Sequence, residues 1–212
     1  LNDADGGTGA APALEPEELA RANFYGLISR LFYGPPDSKL LAEINRGGDA
    51  GSEEGETELV AAWRRLQQSC RTAFPPVVRQ EYDSVFVGVG KAEVSPYLSG
   101  YAEPGGPDRY VVRLRDQLAA WNLARKDQVF EVEDHISGIC DVMRWLIENQ
   151  HSLAVQQRFF GEFAYPGVAG FCAAVQKSPT ADFYKQVAAL TSAYYELERA
   201  AFDMSDGHDA LT

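Results

Sequence analysis

The stretch EPEELARANFYGLISRLFYGPP, residues 15–36, decides the fold class. Proline is favoured in a first helical turn, where its missing N–H costs nothing, so Pro16 opens a helix. Glu17 and Glu18 then lie at the positive end of the helix dipole. Leu19, Asn23, Phe24, Leu27, Ile28, Leu31 and Phe32 follow at helical spacing and mark one face of an α-helix. Gly34-Pro35-Pro36 ends it, because these residues do not continue a helix.

Working outward, the same period recurs along the chain. Asp37 caps a short second helix that ends near Asn45. Leu59, Trp63, Leu66 and Cys70 share one face of a third, and Pro75-Pro76 opens a fourth that carries Tyr82, Val85 and Phe86. A helix over about 107–123 carries Val111, Leu114, Leu118 and Trp121, and one over about 133–151 carries Ile136, Ile139, Cys140, Met143 and Ile147. Shorter helices are predicted over about 153–162 and from Pro166 to Lys177. Ser178-Pro179 reads as the cap and first residue of a last helix, about 179–203, with Phe183, Val187, Leu190, Tyr194, Leu197 and Ala201 on one face. No alternation of period two exceeds four or five residues. The expected fold is all-α: a single globular domain of about eight to ten helices over residues 14–203. Residues 1–13 read as a disordered tail, 47–56 (GGDAGSEEGE) as a flexible loop inserted in the domain, and 204–212 as a frayed tail. The stretch GVGKAEVSPYLSGYAEPGGPD, 88–108, has no helical period. An irregular connection of about 20 residues is uncommon unless it serves function.

Composition narrows the function. The 212 residues are 45% hydrophobic, enough for a sizeable core. Lys and Arg number 19 against 31 Asp and Glu, a net charge of −12, which excludes a nucleic-acid binder that needs a basic face. Anionic membrane surfaces are disfavoured for the same reason. No apolar run approaches the roughly 18 residues of a membrane span. LNDADGGTGAAPALEPEE has neither the basic nor the apolar segment of a secretory signal, so the protein is expected in the cytoplasm. Cys70, Cys140 and Cys172 are odd in number and far apart, which favours reduced thiols over a disulfide or zinc framework.

Short motifs add little individually. GVGK at 88–91 lacks the earlier glycine of a phosphate loop, since Val85 stands there, and Ala92 replaces the Ser or Thr after the lysine. Glu148-x-x-His151 matches half of a di-iron helix motif, but such bundles need two such pairs plus two further glutamates, and the chain has three histidines. A solvated helix end is the better reading. Asp134-His135 lies in EVEDH, where a polar stretch meets a helix. Beside Glu131, Glu133 and Asp134, His135 is expected to prefer its charged form. On spacing alone the pair reads as a capping cluster, and no nucleophile stands beside it to suggest a catalytic triad. Tyr97 and Tyr101 in SPYLSGY either line a peptide groove, offering a wide face with a polar tip, or pin the loop to the core.

Four stretches in this order resemble the TorD/DmsD/NarJ family of redox-enzyme maturation chaperones. They are RANFYGLISRLFYGPP (21–36), EYDSVFVGVGKAEVSPYLSGY (81–101), EVEDHISGICDVMRWLI (131–147) and DFYKQVAALTSAYYELE (182–198). The second is similar to the family's Tyr-x-x-Leu-Phe-x-Gly stretch and Pro-Tyr-x-Ser-x-Tyr loop, the third to its Glu-Pro-x-Asp-His segment. Val132 replaces that proline, and AYPGVAGF stands where the family often carries a tryptophan. The resemblance covers about residues 15–203. It implies a TorD-like, cytoplasmic, all-helical chaperone that is not an enzyme and holds no cofactor or metal of its own. Its implied partner is the apo catalytic subunit of a DMSO-reductase-class molybdoenzyme, bound through its twin-arginine leader or N-terminus before cofactor insertion and export.

The residues assigned to that partner are Glu131, Glu133 and Asp134, with Asp83 and Glu81 as helpers, for the arginines, Tyr97, Tyr101 and Phe130 for the apolar part, and His135 as a further member of the binding site. Arginine pairs with carboxylates in a fork geometry. An exposed pair contributes about 0–1 kcal/mol, whereas micromolar affinity needs about −8 kcal/mol. Binding is therefore expected to be salt-sensitive without being abolished by salt. Asp134→Asn and His135→Ala are expected to weaken client maturation with little loss of fold. A monomer is expected, with a dimer as the alternative. The competing reading is a helical-bundle metal protein or enzyme that uses His135, His151 and nearby carboxylates; a helical adaptor without leader specificity is a third.

Overall fold

A computed structural model describes residues 13–48, 57–88, 92–103, 105–123 and 133–209, with side chains in the last helix described as far as Met204. The predicted disorder of 1–12 and the loop over 49–56 lie outside those residues. Among the described residues there are ten α-helical segments: α1 Pro16–Tyr33, α2 Ser38–Arg46, α3 Glu58–Thr72, α4 Pro75–Tyr82, α5 Ser99–Ala102, α6 Pro107–Ala120, α7 Ile136–Glu148, α8 Leu153–Phe159, α9 Tyr165–Lys177 and α10 Phe183–Asp209. Two π turns join this frame: Asp83–Val87 extends α4, and Phe160–Ala164 fuses α8 to α9. The all-α expectation holds.

The helix starts follow local chemistry. Pro16, Pro75 and Pro107 occupy first turns. Asp37 Oδ1 accepts the Leu40 N–H at 2.8 Å, and Thr57 Oγ1 accepts the Val60 N–H at 3.4 Å. Asn122, at φ 55°, ends the helical path after α6, so that helix stops before the expected residue 123. Gln150, at φ 54°, does the same after α7.

The core is built on α1 and α7. Tyr25, Ile28, Leu31 and Phe32 of α1 meet Ile139, Cys140, Met143 and Ile147 of α7, all fully buried. Each such large side chain contributes about 1.5–3 kcal/mol on burial. α10 lies across α3 and α9 and adds Tyr184, Val187, Leu190, Tyr194 and Tyr195. Phe32, Phe86, Phe171 and Tyr184 interlock with ring centroids 5.0–6.2 Å apart.

A buried ion pair closes the far end. Arg21 holds Glu198 through two bonds, Nε to Oε1 at 2.9 Å and Nη2 to Oε2 at 2.8 Å, while the Tyr25 hydroxyl donates to Glu198 Oε2 at 3.0 Å. Gln156 Oε1 and Glu18 Oε1 accept from Arg21 Nη1. Burial alone would lower the Arg21 pKa, but the hydrogen bonds and charge of Glu198, with Glu18, hold it above its ordinary value.

The last helix departs from expectation. It begins at Phe183 instead of 179 and extends to Asp209, into the stretch read as a frayed tail. Ser178 Oγ does accept the Ala181 N–H at 3.0 Å, the bond expected of a cap. The chain then opens at 179–182 before α10 starts, and the cap comes from another helix. Glu81 of α4 accepts the N–H groups of Asp182, Phe183 and Tyr184 at 2.8, 3.2 and 2.8 Å. Both Glu81 oxygens therefore serve as a cap, a structural role that the sequence reading did not assign.

Candidate functional site

The irregular stretch 92–103 is the feature that gathers the assigned residues. It begins where Val94 N–H donates to Val85 O at 2.8 Å, which ties it to the π turn after α4. It then pairs with the start of α7 in an isolated antiparallel bridge between Tyr97 and His135. Leu98 N–H donates to Asp134 O at 2.9 Å and Ile136 N–H to Pro96 O at 3.0 Å. The tyrosine ring meets the His135 ring edge-on, centroids 5.5 Å apart. The stretch is thus less irregular than the sequence suggests: one bridge fixes its middle and the single turn α5 its end.

Asp134 and His135 are each 3% exposed, so they lie beneath the surface rather than at a free loop end. Asp134 Oδ2 accepts the Ser99 N–H at the start of α5, at 3.3 Å. His135 Nδ1 accepts the Ser137 N–H at 3.2 Å and lies 2.7 Å from Ser137 Oγ, so the imidazole is the N-cap of α7. That role needs a lone pair on Nδ1, which the imidazolium lacks. It also places the ring at the positive end of a helix dipole. The pair is therefore buried and hydrogen-bonded, where a polar loop-end setting was expected.

The other assigned residues separate. Tyr97 is half-buried. Tyr101 donates its hydroxyl to Ser95 O at 2.9 Å and packs on Phe171, which pins the loop; burial raises its pKa. Glu133 pairs with Arg115 at 3.1 Å. Asp83 is exposed and stands in a groove of about 660 Å³ lined with Pro76, Arg79, Ser84, Val87, Gly88 and Glu93. Phe130 and Glu131 lie outside the described residues.

Sequence reading missed several exposed apolar side chains, of which Val87 lines this groove. Val77 and Val87 are each 59% exposed, and so is Tyr33, whose carbonyl accepts the Tyr82 hydroxyl at 3.0 Å. The available signal was phase: Val77 and Val87 fall off the face defined by Val78, Tyr82, Val85 and Phe86.

The metal reading finds no geometry among the described residues. Among the described residues no group of three or more His, Cys, Asp or Glu side chains is placed to hold an ion. His151 packs on Trp145 and Trp121 at 4.7 and 6.1 Å, and Glu148 pairs with Arg144 at 2.7 Å. No helix among the described residues is long and apolar enough to cross a membrane.

Residues 52–173, more than half of the chain, match the family described as the nitrate reductase delta subunit, and the chain belongs to that family, the NarJ/TorD-type chaperones. It is a chaperone of the molybdoenzyme-maturation type. Over 179 residues it is 25% identical to the probable Tat proofreading chaperone DmsD of Haemophilus influenzae, covering 82% of this chain and 87% of that one. A second protein of that organism, uncharacterized, is 29% identical over 179 residues, covering 80% of this chain and 89% of the other.

Proposed function

We propose that the chain binds the leader or N-terminal segment of the apo catalytic subunit of a DMSO-reductase-class molybdoenzyme in the cytoplasm, and holds it until the cofactor is inserted and export begins. The observation that carries this reading is the loop over 92–103, which is tied to the π turn after α4 and to the start of α7 and contributes Glu93 to the groove that Asp83 and Val87 line; Val77 and Tyr33 are further exposed apolar side chains. A leader supplies two arginines and an apolar stretch. Asp83 and Glu93 in the groove suit the arginines, and the exposed apolar side chains suit the rest.

Titration calorimetry with a synthetic peptide that carries Arg-Arg followed by an apolar stretch tests the reading. Micromolar binding is expected, weaker by about threefold to tenfold from 50 to 300 mM salt, because exposed pairs contribute little each and screening removes only that part. Affinity that is flat across this range removes the carboxylates from the reading. Absence of binding, with no molybdoenzyme subunit recovered on the tagged protein from its source cells, overturns it.

A further inference from the structure

We propose that Gly167 is a positioning residue for the client loop; its functional half rests on the reading above. Gly167 is buried in the first turn of α9. A Cβ there would lie 2.7 Å from Leu98 Cβ, 2.9 Å from Leu98 O and 3.2 Å from Leu98 Cα. All three atoms are fixed by the backbone, so no change of rotamer relieves the overlap. One turn on, a Cβ at Gly170 would lie 3.0 Å from Tyr101 Cβ. The two glycines together form the seat on which Leu98 and Tyr101 rest.

Leu98 is held from the other side as well. Its N–H donates to Asp134 O, and its carbonyl accepts the N–H groups of Tyr101 and Ala102 that close α5. A four-residue helix cannot stand alone, since nucleation is unfavourable, so α5 takes its place from these contacts. A methyl group at 167 must push Leu98 back by about 1 Å to reach ordinary carbon contact. The 2.9 Å bond from Leu98 to Asp134 and the 3.3 Å bond from Ser99 to its carboxylate then strain or break, and Tyr97 moves with them.

The test uses the full chain with Gly167→Ala, and Gly161→Ala as control, because a Cβ at Gly161 meets nothing within 4 Å. Amide hydrogen exchange and peptide titration are read at a temperature where near-ultraviolet dichroism shows the fold intact. The amides of Leu98, Ser99 and Ile136 are expected to exchange at least about tenfold faster in Gly167→Ala, while those of Ile139 and Met143 in α7 keep their protection. Peptide affinity is expected to fall at least about fivefold. The control moves neither. If Gly167→Ala fails to fold, Gly170→Ala, with its milder contact, is read at Tyr101 and Ala102 instead. Unchanged protection of the loop amides overturns the seat whether or not peptide binds. Faster exchange with unchanged affinity, for a peptide that Tyr97→Ala does weaken, overturns the functional half. A wild-type protein that binds no peptide overturns the preceding reading, and exchange still decides the seat.

Discussion

Glu81→Ala is expected to lower the melting temperature by roughly 5–15 °C. The carboxylate accepts three consecutive backbone N–H groups at 182–184, at 2.8, 3.2 and 2.8 Å, and so caps α10 from α4. Loss of a side-chain cap alone costs about 1–2 kcal/mol. A carboxylate in a partly buried helix N-terminus adds up to about 2 kcal/mol from the dipole. The Tyr184 amide belongs to a fully buried residue, and an orphaned buried donor costs about 1–3 kcal/mol. These contributions overlap, which leaves about 2–4 kcal/mol, at roughly 2–4 °C per kcal/mol for a chain of this size. Glu81→Gln keeps one acceptor oxygen and loses the charge, so about 1 kcal/mol is expected. Scanning calorimetry reads both, and peptide titration below the transition reads function. Because both oxygens are engaged, neither variant should change leader affinity by more than about twofold. An unchanged melting temperature in Glu81→Ala, or a tenfold affinity loss in a fully stable Glu81→Gln, would refute this reasoning and return Glu81 to the client surface.

His135→Ala removes the N-cap of α7 and a buried ring, so a loss of about 2–4 kcal/mol is expected by urea unfolding; Asp134→Asn, which keeps an acceptor for Ser99, should lose less. A His135→Ala protein as stable as wild type would show that the cap contributes nothing. Glu198→Gln removes the charge that faces Arg21 but keeps one acceptor, and Glu18 and Gln156 still accept from Nη1, so about 1–3 kcal/mol should be lost. Stability should also fall at alkaline pH. Burial raises the Cys70 thiol from 9.0 to about 11 and the Cys140 thiol to about 12, and holds Tyr25, Tyr194 and Tyr195 well above 10. Between pH 9 and 12 the unfolded chain therefore binds fewer protons than the folded one, so stability is full below pH 9 and declines through that window. A melting temperature that stays level to pH 11 contradicts this burial.

Helices were legible because apolar residues at helical spacing and proline starts are local signals. α1 shows this from Pro16 to the Gly34-Pro35-Pro36 stop. What could not be read is contact between distant segments. The cap of α10 comes from Glu81, 101 residues away from Asp182. The Tyr97–His135 bridge joins a stretch without helical period to the start of α7. Gly167 and Gly170 sit unremarked in AYPGVAGF, and their meaning lies in what they let approach. Asp134-His135 was found by its charge, and its structural use is capping, the alternative that spacing already favoured.

This reassignment changes where client affinity must arise. Asp134 is buried, Glu133 is paired with Arg115, and Glu81 caps α10, so among the described residues few of the assigned carboxylates remain for arginine. Asp83 and Glu93, both exposed in the groove, would each contribute at most about 1 kcal/mol. Micromolar binding needs about −8 kcal/mol after an association cost of at least about 4 kcal/mol. The remaining 10 kcal/mol or so corresponds to about 400 Å² of apolar burial at 25 cal/mol per Å². Val87 in the groove, with exposed Tyr33 and Val77 and half-buried Tyr97, are the apolar side chains from which this reading draws it. Tyr33→Ser and Val87→Ser should therefore weaken the leader by at least about tenfold each while leaving its salt dependence unchanged, whereas Asp83→Asn should flatten the salt dependence and weaken binding by only about threefold. If Asp83→Asn costs more than either apolar variant, electrostatics carries the affinity and the apolar rim is incidental.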